Sequence, residues 1–222
     1  MLDLLVLAPT APDLRGLHQT LGDRIDGDIN GLHLTGKVVG VGMPAAAASA
    51  SKRVFQLQPR AVVLLGTCGV YPERDYQPHD VVVGSSMMLL DHTIAHGAGR
   101  FPGPMVTKLD AHAAMAAGLA SAKPRTASAP IASPLAQTRD DQLVSQVRTR
   151  YDAHVEHLEA FSVATACSLA QVPFGAVLSI THVVGSYGDD DWRKFQRDAT
   201  LAAADVLLSW LYAGAPGLPP AR

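Results

Sequence analysis

What most limits the fold of this chain is a set of short apolar runs with little polar interruption, at residues 2–8, 61–65 and 174–180. A strand with one wet face alternates apolar and polar residues. Runs that do not alternate are buried on both faces, as in a parallel sheet covered by helices on each side. The stretches between them read as helices. Residues 13–21 form one. Pro44, at a first-turn position where its missing N–H costs nothing, opens an Ala-rich helix that runs to about Gln58. Further helices are expected at 109–120, 140–151 and 191–211, and the small-residue run 161–170 reads as a buried one. Residues 31–41 suggest one or two strands, 80–84 the start of a strand with 85–91 as its continuation, and the Pro- and Ser-rich stretch 124–134 a short strand with loops. There is no internal repeat. The alternation predicts an α/β fold, a three-layer α/β/α sandwich around a mixed, mostly parallel sheet. One domain is expected over residues 1–213, followed by a frayed tail at 214–222.

Composition excludes several function classes. A formal net charge of −2 without blocks of like charge argues against a nucleic-acid partner. No apolar run reaches membrane-spanning length, and the first eight residues lack the basic flank of a signal peptide. Cys68 and Cys167 are isolated, without metal-ligand spacing, and read as free thiols of a cytoplasmic protein. No metal is expected.

In a parallel sheet, ligands sit beyond the carboxyl ends of the strands. The residues there are Ala8-Pro9-Thr10-Ala11-Pro12-Asp13, Gly40-Val41-Gly42-Met43-Pro44, Gly66-Thr67-Cys68-Gly69 and Thr181-His182-Val183-Val184-Gly185. Glycines at such places let backbone N–H groups approach a ligand. Gly40-x-Gly42-x-x-Ala45 resembles a dinucleotide fingerprint, but the next strand carries no acid to hold a cofactor ribose, so no nicotinamide cofactor is expected. His92 and His96 are four residues apart without a zincin glutamate between them, and read as a surface or core pair. Only three glutamates occur, Glu73, Glu156 and Glu159, and two of them fall in Asp152-Ala153-His154-Val155-Glu156-His157-Leu158-Glu159-Ala160, just before the buried helix. A carboxylate at such a mouth either grips the hydroxyls of a sugar or is an exposed first-turn residue favoured by the helix dipole.

The ordered set Gly40-Val41-Gly42, Leu65-Gly66-Thr67-Cys68-Gly69, Asp80-Val81-Val82-Val83, Val155-Glu156-His157-Leu158-Glu159-Ala160 and Val177-Leu178-Ser179-Ile180-Thr181-His182-Val183-Val184-Gly185 resembles the nucleoside phosphorylase/nucleosidase superfamily over residues 2–208. No single motif carries the likeness; order and spacing do. The Glu-x-x-Glu form of the ribose motif and Val184-Gly185 followed by Trp192 look most like futalosine hydrolases, which remove hypoxanthine from futalosine on a menaquinone route. Methylthioadenosine/adenosylhomocysteine nucleosidases are similar.

The resemblance implies a purine nucleosidase without cofactor, acting on a small nucleoside, with a homo-oligomer, a dimer first, as its assembly. It implies that Glu159 holds the ribose 2′- and 3′-hydroxyls, with Gly42, Glu156, His157 and Leu158 around the sugar. Asp13 falls near the acid that orients the attacking water. Thr67 and the N–H groups of Gly66, Cys68 and Gly69 match the loop facing phosphate or water. Thr181 and His182 match the pair that reaches the purine, and Trp192 and Phe195 fall where they would line its pocket. The segment 91–104 is a candidate partner loop, and 96–104 and 133–141 are where specificity is expected.

Two departures stand out. His182 replaces the usual Asp or Asn; a histidine with a pKa near ~6.5 can also donate a proton, or it is a structural residue in an altered site. Leu64 stands where bacterial-type phosphorylases carry an anion-binding arginine, which leaves Arg15 as the other anion ligand or as a solvated helix residue. Water is therefore favoured as nucleophile, with a phosphorylase or a non-catalytic nucleoside binder as the alternatives.

Overall fold

The structure, a computed structural model, describes residues 2–221. Nine strands form its sheet. They are β1 (Leu4–Ala8), β2 (Asp26–Ile29), β3 (Leu32–Val38), β4 (Ala61–Val70), β5 (Val81–Leu90), β6 (Lys108–Asp110), β7 (Thr126–Pro134), β8 (Val155–Glu156) and β9 (Phe174–Val183). The helices are α1 (Arg15–Leu21), entered through a 3-10 turn at Ala11–Leu14, then α2 (Met43–Leu57), α3 (His92–Ala95), α4 (Ala113–Ala120), α5 (Asp141–Tyr151), α6 (Ala160–Leu169) and α7 (Gly188–Tyr212).

Neighbouring strands run β2-β3-β1-β4-β8-β7-β5-β6, and β9 pairs with both β4 and β5. The strands β4, β8, β7, β5 and β9 thereby close into a ring. Pairing is parallel for β1 with β3 and β4, β4 with β9, and β7 with β5 and β8. It is antiparallel elsewhere, as expected for a mixed, mostly parallel sheet. The uninterrupted runs have two buried faces. Leu5, Leu7, Val62 and Leu64 pack with α2 and α6, while Leu4, Val6, Ala61, Val63 and Leu65 pack with α1, α4 and α7. These are the three expected layers.

Several elements differ from expectation: β2, α3 and β8 were not expected at all, and three others have other bounds or another type. The strand ending at Leu65 continues to Val70, because β9 and β8 pair with its glycine-rich half. The helix expected from Leu109 starts at Ala113, because residues 108–110 form an edge strand on β5 and His112 caps the helix through its Nδ1. The Pro-rich stretch is a nine-residue strand. Pro130 is tolerated there because it lies beside the register shift between Gly84 and Ser86, where the ladder is interrupted. In the described part of the tail, Ala215 is buried and Trp210 Nε1 donates to Pro216 O at 3.0 Å.

Candidate active site

A cleft opens where β1, β4 and β9 end and β8 leads into α6. Ten of the fourteen residues the resemblance implies line it: Asp13, Thr67, Cys68, Gly69, Glu156, His157, Leu158, Glu159, His182 and Trp192. Pro9, Thr10, Val41 and Gln137 complete the wall. Gly42, Gly66 and Thr181 stand behind it and hold lining residues in place.

Glu159 is buried, 3% exposed, so it is not the solvated first-turn residue of the alternative reading. It sits at the N-cap of α6 without capping it. Instead, the N–H of Gly42 donates to Glu159 Oε1 at 2.6 Å. Gly42 has φ of 87°, a left-handed conformation that glycine adopts without strain, and this conformation accompanies the turn of its N–H toward the carboxylate. The N–H of Glu159 lies 3.3 Å from His157 Nδ1, and the same Nδ1 lies 3.3 Å from Glu159 Oε2, so the ring is held against the carboxylate. Ser133 fixes the motif from below, donating to His157 O at 2.7 Å and accepting from Phe161 N–H at 3.1 Å. At Gly66 a Cβ would come within 3.3 Å of His157 Nε2, so the glycine makes room for that ring.

Asp13 faces the same end of the cleft. Its Oδ2 accepts from Thr10 N–H at 3.0 Å and from Thr10 Oγ1 at 2.5 Å. Burial raises its pKa above the ordinary carboxylate value, and repulsion from Glu159 adds to this; the Thr10 bonds and His157 oppose it. A buried carboxylate held this way is a stronger base than a solvated one.

Glu156 lines the cleft and is also tied to residues behind it. Its carboxylate accepts from Tyr71 Oη at 2.6 Å, Thr138 N–H at 2.9 Å and Thr138 Oγ1 at 2.5 Å. Because the Thr138 proton goes to Glu156, Thr138 Oγ1 accepts from His92 Nε2, 2.9 Å away. This buried chain fastens the loop that carries Gln137 into the cleft, and gives His92 a structural partner. Glu156→Ala would strand the Tyr71 and Thr138 donors. It is expected to cost about 2–4 kcal/mol of stability, read as a lower denaturation midpoint; an unchanged midpoint would show that the chain is not under load.

His182 and Trp192 also line the cleft. A register shift between Cys68 and Gly69 pairs Cys68 with Ile180 and Gly69 with His182, leaving Thr181 as the extra residue of a bulge. Bulges re-aim side chains, and this one brings His182 into the cleft. Thr181 Oγ1 donates to Cys68 O at 3.1 Å and lies 2.8 Å from His182 Nδ1. Burial lowers the His182 pKa, against the attraction of Asp191 and Asp189. Trp192 Nε1 donates to Thr67 Oγ1 at 3.4 Å, and its ring is half exposed at the cleft mouth. Asp141 accepts from Ser186 N–H and Oγ at 3.0 and 3.1 Å, and Arg139 pairs with Asp189 at 2.9 Å. These contacts tie the Gln137 loop to the start of α7. Burial raises the pKa of the Cys68 thiol, so it is inert.

Three other residues lie elsewhere. Phe195 is not on the cleft wall; its ring meets His79 edge-on at 5.6 Å. Arg15 donates to Thr200 Oγ1 on α7 at 3.3 Å, and Leu64 is wholly buried in the core. Among the described residues, no Lys or Arg lines the cleft. Thr10 and Gln137 were not singled out by sequence. Thr10 stands three residues before Asp13, a spacing that would have marked it as a capping partner. Gln137 had no signal beyond its place in 133–141.

A doubly covered mixed sheet with a polar cleft beyond its strand ends is the architecture of an α/β enzyme that takes a small ligand. The chain belongs to the phosphorylase superfamily, whose family model matches residues 12–211. No curated protein sequence matches it significantly. Its fold is similar to that of the 5′-methylthioadenosine/S-adenosylhomocysteine nucleosidase of Neisseria meningitidis, solved with methylthio-immucillin-A. That match has a TM-score of 0.84 at 15% identity, over 96% of this chain and 100% of the other. The nucleosidase of the same kind from Colwellia psychrerythraea, solved with adenine, gives 0.84 at 16% identity over 99% and 98% of the two chains. A futalosine hydrolase mutant of Helicobacter pylori gives 0.84 at 13% identity over 94% and 98%. At these identities the likeness is one of fold.

Proposed function

We propose that the protein is a purine nucleosidase that hydrolyses the N-glycosidic bond of a futalosine-like or methylthioadenosine-like nucleoside. The observation that carries this reading is the pairing of two buried carboxylates, Glu159 and Asp13, at one end of a cleft with no Lys or Arg on its wall among the described residues. Such an end suits a sugar that becomes cationic, and it repels phosphate. Glu159 accepts from the ribose hydroxyls while Gly42 holds its other oxygen. The base lies between Trp192, His182 and Gln137. The C1′–N9 bond breaks with its electron pair going to the base, leaving an oxocarbenium-like sugar. Water attacks C1′ and loses a proton to Asp13, which passes it to solvent, while the departing base takes one proton from solvent, so that Asp13 ends as it began and the base leaves neutral. Proton transfer of this kind is typically worth about 10²–10⁴-fold.

A phosphorylase would need a cation in the cleft, and Arg15 is engaged by Thr200 instead. The test is base release from futalosine, methylthioadenosine, adenosylhomocysteine, inosine, adenosine and uridine, with and without phosphate, read by chromatography. Release from a purine nucleoside at the same rate in both conditions is expected. Release only with phosphate would make the protein a phosphorylase. No release from any member by the folded protein would leave a nucleoside binder.

A further inference from the structure

His182 stands in the cleft in one defined hydrogen-bonding state. A carbonyl oxygen cannot donate, so in the bond between Thr181 Oγ1 and Cys68 O the threonine gives its single proton. The same Oγ1 then has only lone pairs to offer His182 Nδ1 at 2.8 Å, so Nδ1 carries the imidazole proton. The neutral ring thus has a bare Nε2, which has no hydrogen-bond partner among the described residues, and the residue lines the cleft. Burial favours this neutral form over the cation. The ring is also built in. A Cβ at Gly69 would come within 2.6 Å of Nε2, and one at Gly188 within 2.8 Å of Cδ2, so two glycines on two elements clear its space.

We propose that His182, held as a hydrogen-bond acceptor by Thr181 and the Cys68 carbonyl, makes this cleft select a base that offers an N–H donor at the facing edge, a 6-aminopurine, over one that offers a carbonyl there, a 6-oxopurine. This rests on the nucleosidase reading and chooses between its two substrate types, favouring the adenine over the hypoxanthine nucleoside. An exocyclic amine donates to Nε2. A 6-oxo group sets two lone pairs against each other and leaves both unpaired, a loss that lowers affinity by at least about tenfold.

Carbocyclic adenosine and carbocyclic inosine test this. They fill both ends of the cleft, and lacking the sugar ring oxygen they resist cleavage, so calorimetric titration near pH 8 reads the preference without turnover. The wild type is expected to bind the 6-amino compound at least about tenfold more tightly. Thr181→Val, which frees the ring to carry its proton on Nε2, and His182→Gln, whose amide can donate or accept, should each bring the ratio to within about threefold while circular dichroism stays native. A merely structural His182 would lower both affinities together. Equal or tighter binding of the 6-oxo compound, a wild-type ratio kept in both variants, or binding of neither compound overturns the proposal. Base release from nucleosides of both kinds with no such preference would overturn it and leave the nucleosidase reading standing. A preference in binding with no release from any nucleoside would support it and remove that reading.

Discussion

Glu159→Gln is expected to fold as the wild type does and to lower turnover by about 10²–10³-fold. The glutamine keeps an oxygen for the Gly42 N–H, so the 2.6 Å link between the loop before α2 and the start of α6 survives. What it loses is charge. In the ground state the ribose hydroxyls need only acceptors, which an amide partly supplies. At the transition state the sugar carries positive charge, and a carboxylate buried to 3% exposure acts on it with little screening by water. The loss should therefore fall on kcat more than on KM. If Glu159 were only a helix-start charge, the same change would cost about 0.3–1 kcal/mol of stability and no activity. Steady-state kinetics beside a thermal melt separate the two, and full turnover in the variant would remove Glu159 from the sugar.

The fold was legible where burial on both faces left uninterrupted apolar runs, because such runs admit few alternatives: Leu4–Ala8, the first half of β4 and most of β9 were all read as strands. It was illegible where glycine had two meanings. Gly66 and Gly69 read as a loop because glycine breaks strands. In the structure both are strand residues whose missing Cβ admits a neighbouring ring, His157 at one and His182 at the other. Only the tertiary partner distinguishes these cases. The three-residue strand β6 had too few residues for any periodicity to show. The acidic and glycine-rich strand ends did meet at one cleft, as the parallel-sheet rule requires. The division of labour within the Glu156–Glu159 motif was hidden, because it depends on Tyr71 and Thr138, which are 85 and 18 residues from Glu156. The state of His182 was hidden for the same reason, since it depends on a carbonyl 113 residues from Thr181.

Asp13→Asn is expected to move activity and stability in opposite directions. The asparagine oxygen can still accept from Thr10 N–H and Oγ1, so the turn into α1 keeps its capping bonds. The amide cannot take a proton from water, and turnover should fall by about 10²–10⁴-fold. Stability should rise. Burial raises the folded-state pKa of Asp13, so the folded protein binds its proton more tightly than the unfolded chain does. That contribution is fully present below the unfolded value of ~3.9 and is lost as pH rises through the folded pKa; at neutral pH the ionised carboxylate is a net cost. Asparagine removes the cost, worth about 0.5–2 kcal/mol at neutral pH. The advantage should shrink as pH falls below the folded pKa of Asp13, where the wild-type carboxyl is itself neutral. Wild-type turnover should fall over the same interval, because water activation needs the carboxylate. Thermal melts of the two proteins across pH 4–8, with hydrolysis rates at each point, test the argument. A variant less stable than wild type at pH 7 would mean that His157 and the Thr10 bonds outweigh desolvation, and a variant with undiminished turnover would take Asp13 out of the reaction.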